Sequence, residues 1–124
     1  MNVCERISRE RVPVAELDDD EFLHALDSRA KVRRFTRAMR QGADVPPVFM
    51  IRLDGVLTLI QGSEQAAAAD RVGAEELDAI VFDALDVAES DKVGAVGFEL
   101  AECGCDVWSG LQLMSRRSPL QAVA

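Results

Sequence analysis

The residues best placed to do chemistry sit together at one turn. Leu59-Ile60-Gln61-Gly62 reads as a strand running into glycine, and Ser63-Glu64-Gln65 opens an alanine-rich helix directly after it. A strand that passes straight from glycine into a helix exposes the helix's first backbone amides. Those amides, together with the helix dipole, favour anions and phosphates in particular. In a hydrolytic reading, the amides of Gly62 and Ser63 hold phosphate while Glu64 holds a metal ion or a water. A serine hydroxyl is a poor nucleophile without a base beside it. The one histidine, His24, falls in the first helix next to an apolar stripe, where a partly buried structural role suits it. Many ordinary strand-to-helix turns look the same, so the turn alone nominates an anion site and no reaction.

Two further groups invite chemistry. Cys4, Cys103 and Cys105 are an odd set, and the last two are too close in sequence for easy mutual bridging. With His24 they lack the two spaced ligand pairs of a structural zinc site, so reduced thiols are expected and no metal. The second group is cationic. Arg29, Lys31, Arg33, Arg34, Arg37 and Arg40 fill a twelve-residue window that holds no acid. A charge run of this kind is either a solvated face or a surface that docks an acidic partner, a second copy of the chain included.

The elements that must position these groups follow from apolar spacing. Residues 12–17 read as a short extended segment, with Pro13 making it an edge strand at best. Asp18 to Glu21 precede an apolar-periodic run, which predicts a helix from about Asp20 to Arg40. Phe22, Ala25, Leu26, Val32, Phe35 and Met39 form its buried stripe, Arg29, Arg33, Arg37 and Arg40 lie on another face, and Gly42 ends it. Val48–Leu53 and Val56–Ile60 are two apolar runs divided by Asp54-Gly55, which predicts a hairpin. Ser63 is expected to cap the alanine-rich helix and Gly73 to end it. Leu77–Phe82 reads as a strand. Residues 84–91 are compatible with a loop or a short helix, and four glycines between Val93 and Met114 argue against one long helix. Trp108 is either a core anchor of that segment or an interface residue.

Length and composition bound what these parts can make. The 124 residues, 48% hydrophobic and 29% charged, suit one soluble domain with a modest core. No apolar stretch is long enough to span a bilayer and the first fourteen residues lack a signal-peptide core, so a cytoplasmic protein is expected. Residues 1–42 hold nine basic and eight acidic side chains, and residues 43–124 hold five and fourteen, giving +1 and −9 and a net charge of −8. That balance argues against nonspecific DNA binding, which depends on phosphate neutralisation.

The order of elements, with Val-Pro-Val near the start, Gly42 and Val45-Pro46-Pro47-Val48, the hairpin at Asp54-Gly55, Leu59-Ile60-Gln61-Gly62, Gly73 and Leu77-Asp78-Ala79-Ile80-Val81, resembles the ParB/sulfiredoxin superfamily over residues 11–83. The resemblance implies an α+β fold, a small mixed sheet with flanking helices. Residues 84–115 would pack on that core as a C-terminal extension, and residues 116–124 would form a flexible tail. It also implies a nucleotide, ATP or CTP with magnesium, at Gly62, Ser63, Glu64 and Gln65.

The departures from the family pattern carry as much weight. Partition proteins have Gly-Glu-Arg-Arg at this turn and sulfiredoxins Gly-Cys-His-Arg, whereas this chain has Gly62-Ser63-Glu64-Gln65. The thiolate and the arginines are both gone. A carboxylate about 4 Å from a phosphate charge is repelled by about 4 kcal/mol at an effective dielectric of roughly 20. Arg33 or Arg34 would have to restore the lost charge. The Glu-Asn-x-x-Arg segment of partition proteins is replaced by Asp83-Ala84-Leu85-Asp86-Val87, and no helix-turn-helix pattern follows, which argues against centromere binding. The expected role is a small accessory or inhibitory binding protein with a degenerate nucleotide turn and a protein partner, in a plasmid, phage or genomic-island setting. The alternatives are a metal-dependent nucleotide hydrolase or nuclease using Glu64 and Ser63, and an acidic DNA mimic.

Overall fold

Four consecutive apolar residues, Val48 to Ile51, are all buried, and that is the signature of a strand covered on both faces. In the computed structural model, which describes residues 6–17 and 29–117, they begin strand β2 (Val48–Leu53). It lies inside a four-stranded mixed sheet of order β1-β4-β2-β3, with β1 (Ile7–Pro13), β3 (Val56–Gln61) and β4 (Glu76–Asp83). The fold is α+β, the predicted class. Among the described residues, four α-helices accompany the sheet: α1 (Arg29–Arg40), α2 (Ser63–Arg71), α3 (Val87–Glu102) and α4 (Val107–Arg117).

The hairpin stands as predicted. Leu53 pairs with Val56, and both turn residues take positive φ, 52° at Asp54 and 80° at Gly55. Those angles give the turn the twist that two paired strands need.

At the N-terminal end the prediction needs correcting. The extended segment is Ile7–Pro13 rather than 12–17, and Val14–Glu16 turn into a short 3-10 helix. Proline closes the strand there, and the amide of Val14 donates to Glu75 O at 2.9 Å. The strand is an edge strand, where a proline is tolerated. Helix α1 is described from Arg29; the predicted residues 20–28, with Phe22, Ala25, Leu26 and His24, lie outside the described residues, as do Cys4 and residues 118–124.

The chain divides into two compact units. Of the described residues, 10–17, 29–48 and 62–79 form one. Within it α1 buries Val32, Phe35 and Thr36, and α2 buries Ala66, Ala68 and Ala69. Alanine's small side chain lets these two helices approach closely, and they pack on each other.

The other unit comprises, of the described residues, 6–9, 49–61 and 80–117. Its core joins Ile7, Phe49, Ile51, Ile80, Phe82, Val93, Val107 and Leu111. Trp108 is half-buried and packs against this cluster, which resolves its two readings towards a core anchor. Residues 84–91 are neither loop nor short helix alone: Asp86 caps the 16-residue α3, its Oδ1 accepting from the Glu89 amide at 2.9 Å. The four glycines divide as spacers and a break. Gly94 and Gly97 sit inside α3 facing Ile51 and Phe49, Gly104 separates α3 from α4, and Gly110 lets α4 meet Leu100. The segment predicted as tail from residue 116 begins helical, since α4 reaches Arg117.

Candidate functional site

Gly62 is the pivot of the candidate turn. Its φ of +115° is disfavoured for any residue with a side chain, and an added Cβ would lie 2.7 Å from Val48 Cγ1 and 2.9 Å from Val48 Cβ. The close passage against β2 therefore makes Gly62, not Ser63, the N-cap of α2. The predicted Ser63 cap is corrected on this point: Ser63 is already helical, no side chain caps the helix, and its Oγ reaches Glu64 Oε2 at 3.4 Å.

Glu64 occupies the first turn of α2, where the helix dipole stabilises a negative charge. Its side chain is only 15% exposed, and Oε1 lies 4.0 Å from Lys31 Nζ. The pair is too long and too wet on the lysine side to add much stability. Its meaning is positional: an anion of the chain's own, with a cation facing it, stands at the helix start. Gln65 turns away from this pair, and its Nε2 makes a long contact of 3.4 Å to Pro46 O.

The basic helix meets the turn through Lys31 rather than through Arg33 or Arg34. Arg33 and Arg34, named as sources of replacement charge, are exposed, with Arg34 stacked over the Phe35 ring at 5.5 Å. Lys31 is the one that reaches Glu64. Helical phase contains the signal, because Lys31 flanks Val32 and Phe35 on the packed side of α1. Arg29, Arg33, Arg37 and Arg40 are all exposed and follow one another at three- and four-residue steps along α1. Cys103 and Cys105 are exposed free thiols. No group of three or more His, Cys, Asp or Glu side chains converges on a metal-sized site among the described residues.

With the sheet order and this turn in view, two solved structures can be set beside the chain. Sulfiredoxin from Arabidopsis thaliana superposes with a TM-score of 0.57 at 15% identity, over 71% of this chain and 97% of that one. A Pnob8-like ParB-N domain superposes with a TM-score of 0.54 at 19% identity, over 79% of this chain and 38% of that one. The fold is like that of sulfiredoxin and of the ParB-N domain. At these identities the likeness is one of fold, and the chain spans well under half of the ParB protein. No protein-family model and no curated protein matches the sequence. At its turn, this chain has the glycine pivot Gly62 and, two residues later, the Glu64 carboxylate facing Lys31.

No helix among the described residues is long and apolar enough to cross a membrane.

Proposed function

We propose that this chain is a small binding protein, accessory or inhibitory to a protein partner, whose turn at Gly62–Gln65 no longer takes a nucleotide. The observation that carries the reading is the Glu64 carboxylate held in the first turn of α2 against Lys31. The chain supplies its own anion where a phosphate would approach, and a triphosphate would have to displace or neutralise it. Calorimetric titration with ATP and with CTP, each with magnesium, is expected to give no saturable heat. A micromolar dissociation constant accompanied by turnover would overturn the reading.

The partner is engaged, in this reading, by the exposed cations of α1. An acidic protein surface is the matching chemistry, since four arginines in register present forked donors to carboxylates. A poly-glutamate peptide should bind with strong salt dependence, and the double variant Arg33→Glu/Arg37→Glu should lose that binding. Both side chains are exposed, so the variant's melting temperature should stay within about 2 °C of the parent. Equal retention of the peptide by the variant would remove α1 as the docking face.

A further inference from the structure

Val56, Val87 and Phe98 are large apolar side chains left exposed, at 64%, 64% and 45%, and all three border one groove. It lies between α3 and the outer edge of the sheet. On α3, Val87, Asp91, Gly94, Phe98 and Glu102 follow one another at steps of three and four, so they share one flank. A Cβ added at Gly94 would lie 3.8 Å from Ile60 Cδ1, and Glu102 Oε1 accepts from Gln61 Nε2 at 2.5 Å. These two contacts set that flank beside β3. Val56 and Thr58 lie on the α3 side of β3, since Thr58 pairs with Ile51, whose Cδ1 would be 3.3 Å from the same added Cβ. Gly94 has no side chain to fill the flank between Val87 and Phe98, so the apolar surface is notched there.

The backbone of β3 gives a second, independent indication. β3 ends the strand order β1-β4-β2-β3, and among the described residues no strand pairs with its outer side. Leu53 and Val56 flank the two-residue turn as a hydrogen-bonded pair, and Ile51 with Thr58 is the next such pair. Leu57 and Leu59 therefore direct their N–H and C=O groups outward. Edge strands are commonly guarded by a charge or a proline, and Val56–Gln61 holds neither. A row of outward backbone groups is matched by another extended segment.

Charge says which segment. The exposed charges on the flank are Asp91 and Glu102, and Asp54 stands at the hairpin tip, so all are acidic. Arg52 of β2 is bonded to Asp83 Oδ1 at 2.9 Å. Asp91 and Glu102 are about 16 Å apart along the helix, a length spanned by about five strand residues.

We infer that the groove between α3 and β3 docks an extended segment of a partner protein. The segment joins the sheet at β3, sets alternate apolar side chains against Val87 and Phe98, and carries lysine or arginine near its ends. A second copy of the chain does not match: antiparallel pairing of β3 with itself brings Asp54 of each copy towards the end where the other holds Glu102, and supplies no cation. The groove shares no residue with the cationic face of α1, and the inference does not rest on the reading of that face.

The palindromic peptide acetyl-Lys-Thr-Val-Thr-Val-Thr-Lys-amide tests it, by amide-resolved NMR titration and hydrogen exchange on the full chain. The peptide should shift the amides of Leu57, Leu59 and Phe98 saturably, with a dissociation constant on the order of 1 mM or tighter, and slow exchange at Leu57 and Leu59. Glutamate in place of both lysines should weaken binding about tenfold. Proline in place of the central threonine removes a donor that faces β3 and should weaken it by about the same factor. Phe98→Ala should cost about fivefold in affinity and Asp91→Asn about threefold, with melting temperatures close to the parent's because both side chains are exposed. Equal affinity for the lysine and glutamate peptides, undiminished binding of the proline peptide, or unchanged affinity in Phe98→Ala would overturn the inference. So would a dimer of the chain alone, seen by sedimentation, whose Leu57 and Leu59 amides are already protected, because that assigns the edge to a second copy.

Discussion

Gly97→Ala is expected to destabilise the protein by about 2–3 kcal/mol and to lower its melting temperature by about 10 °C. Helix propensity alone predicts the opposite sign, since alanine is better than glycine in a helix interior by about 1 kcal/mol. Packing decides. A Cβ at Gly97 would fall 2.1 Å from Phe49 Cε2 and 2.6 Å from its Cδ2, and Phe49 is 1% exposed at the centre of its core. The ring has no empty space to rotate into, so α3 would have to lift off β2. Gly94→Ala is the internal control. Its nearest neighbour is the Ile51 Cδ1 methyl at 3.3 Å, the end of a side chain that can give way, so the change should be close to neutral. Urea unfolding of the two variants side by side separates packing from propensity. Equal effects at both positions would mean that the close approach of α3 to Phe49 is not what glycine serves here.

That contrast shows what could be read in the sequence and what could not. The hairpin at Asp54-Gly55 was legible because turn chemistry is local: two residues of positive φ between apolar runs have few other uses. The strand at Val48–Leu53 was legible for a similar reason, as an unbroken apolar run, whereas the burial of both its faces shows only in the packed sheet. The C-terminal half resisted because glycine is penalised by local propensity and rewarded by packing. Gly94 and Gly97 look like helix breakers until β2 is placed against them. A signal was nonetheless present: Asp86-x-x-Glu89 is an N-terminal helix signature, and Asp86 does cap α3. At the candidate turn, the serine after Gly62 looked like the cap because capping preference is a local statistic. The closeness of Val48, which reserves the cap for Gly62, is a long-range fact. The same holds for Lys31, since Lys31 and Glu64 are 33 positions apart and meet only because α1 packs on α2.

The second large effect concerns the anchor of the N-terminal strand. Arg6 donates through Nη1 and Nη2 to both carboxylate oxygens of Glu89, and through Nη1 to Asp83 O at 2.7 Å. Its guanidinium lies over the Phe82 ring, 4.8 Å from the centroid. The two side chains are 14% and 24% exposed, so this pair is largely out of water. Arg6→Ala leaves Glu89 charged and mostly buried, with the Leu85 amide at 2.8 Å as its remaining donor. The expected loss at pH 7 is about 3 kcal/mol. Glu89 is held below its ordinary value of 4.5, chiefly by the Arg6 hydrogen bonds, with burial opposing and the Leu85 amide assisting. A carboxyl group with a folded-state pKa below its unfolded value binds fewer protons in the native state. Its contribution is therefore complete above about pH 5 and is lost as the pH falls through the folded value. Arg6→Ala removes the main cause of the lowering and leaves the opposing burial, so Glu89 in the variant should take up a proton more readily. The stability gap between parent and variant, followed by urea unfolding from pH 7 down to pH 3, should narrow below pH 4.5. A gap that stays constant across that range would mean that Arg6 acts through its contacts with Phe82 and Asp83 O, and not through the charge on Glu89.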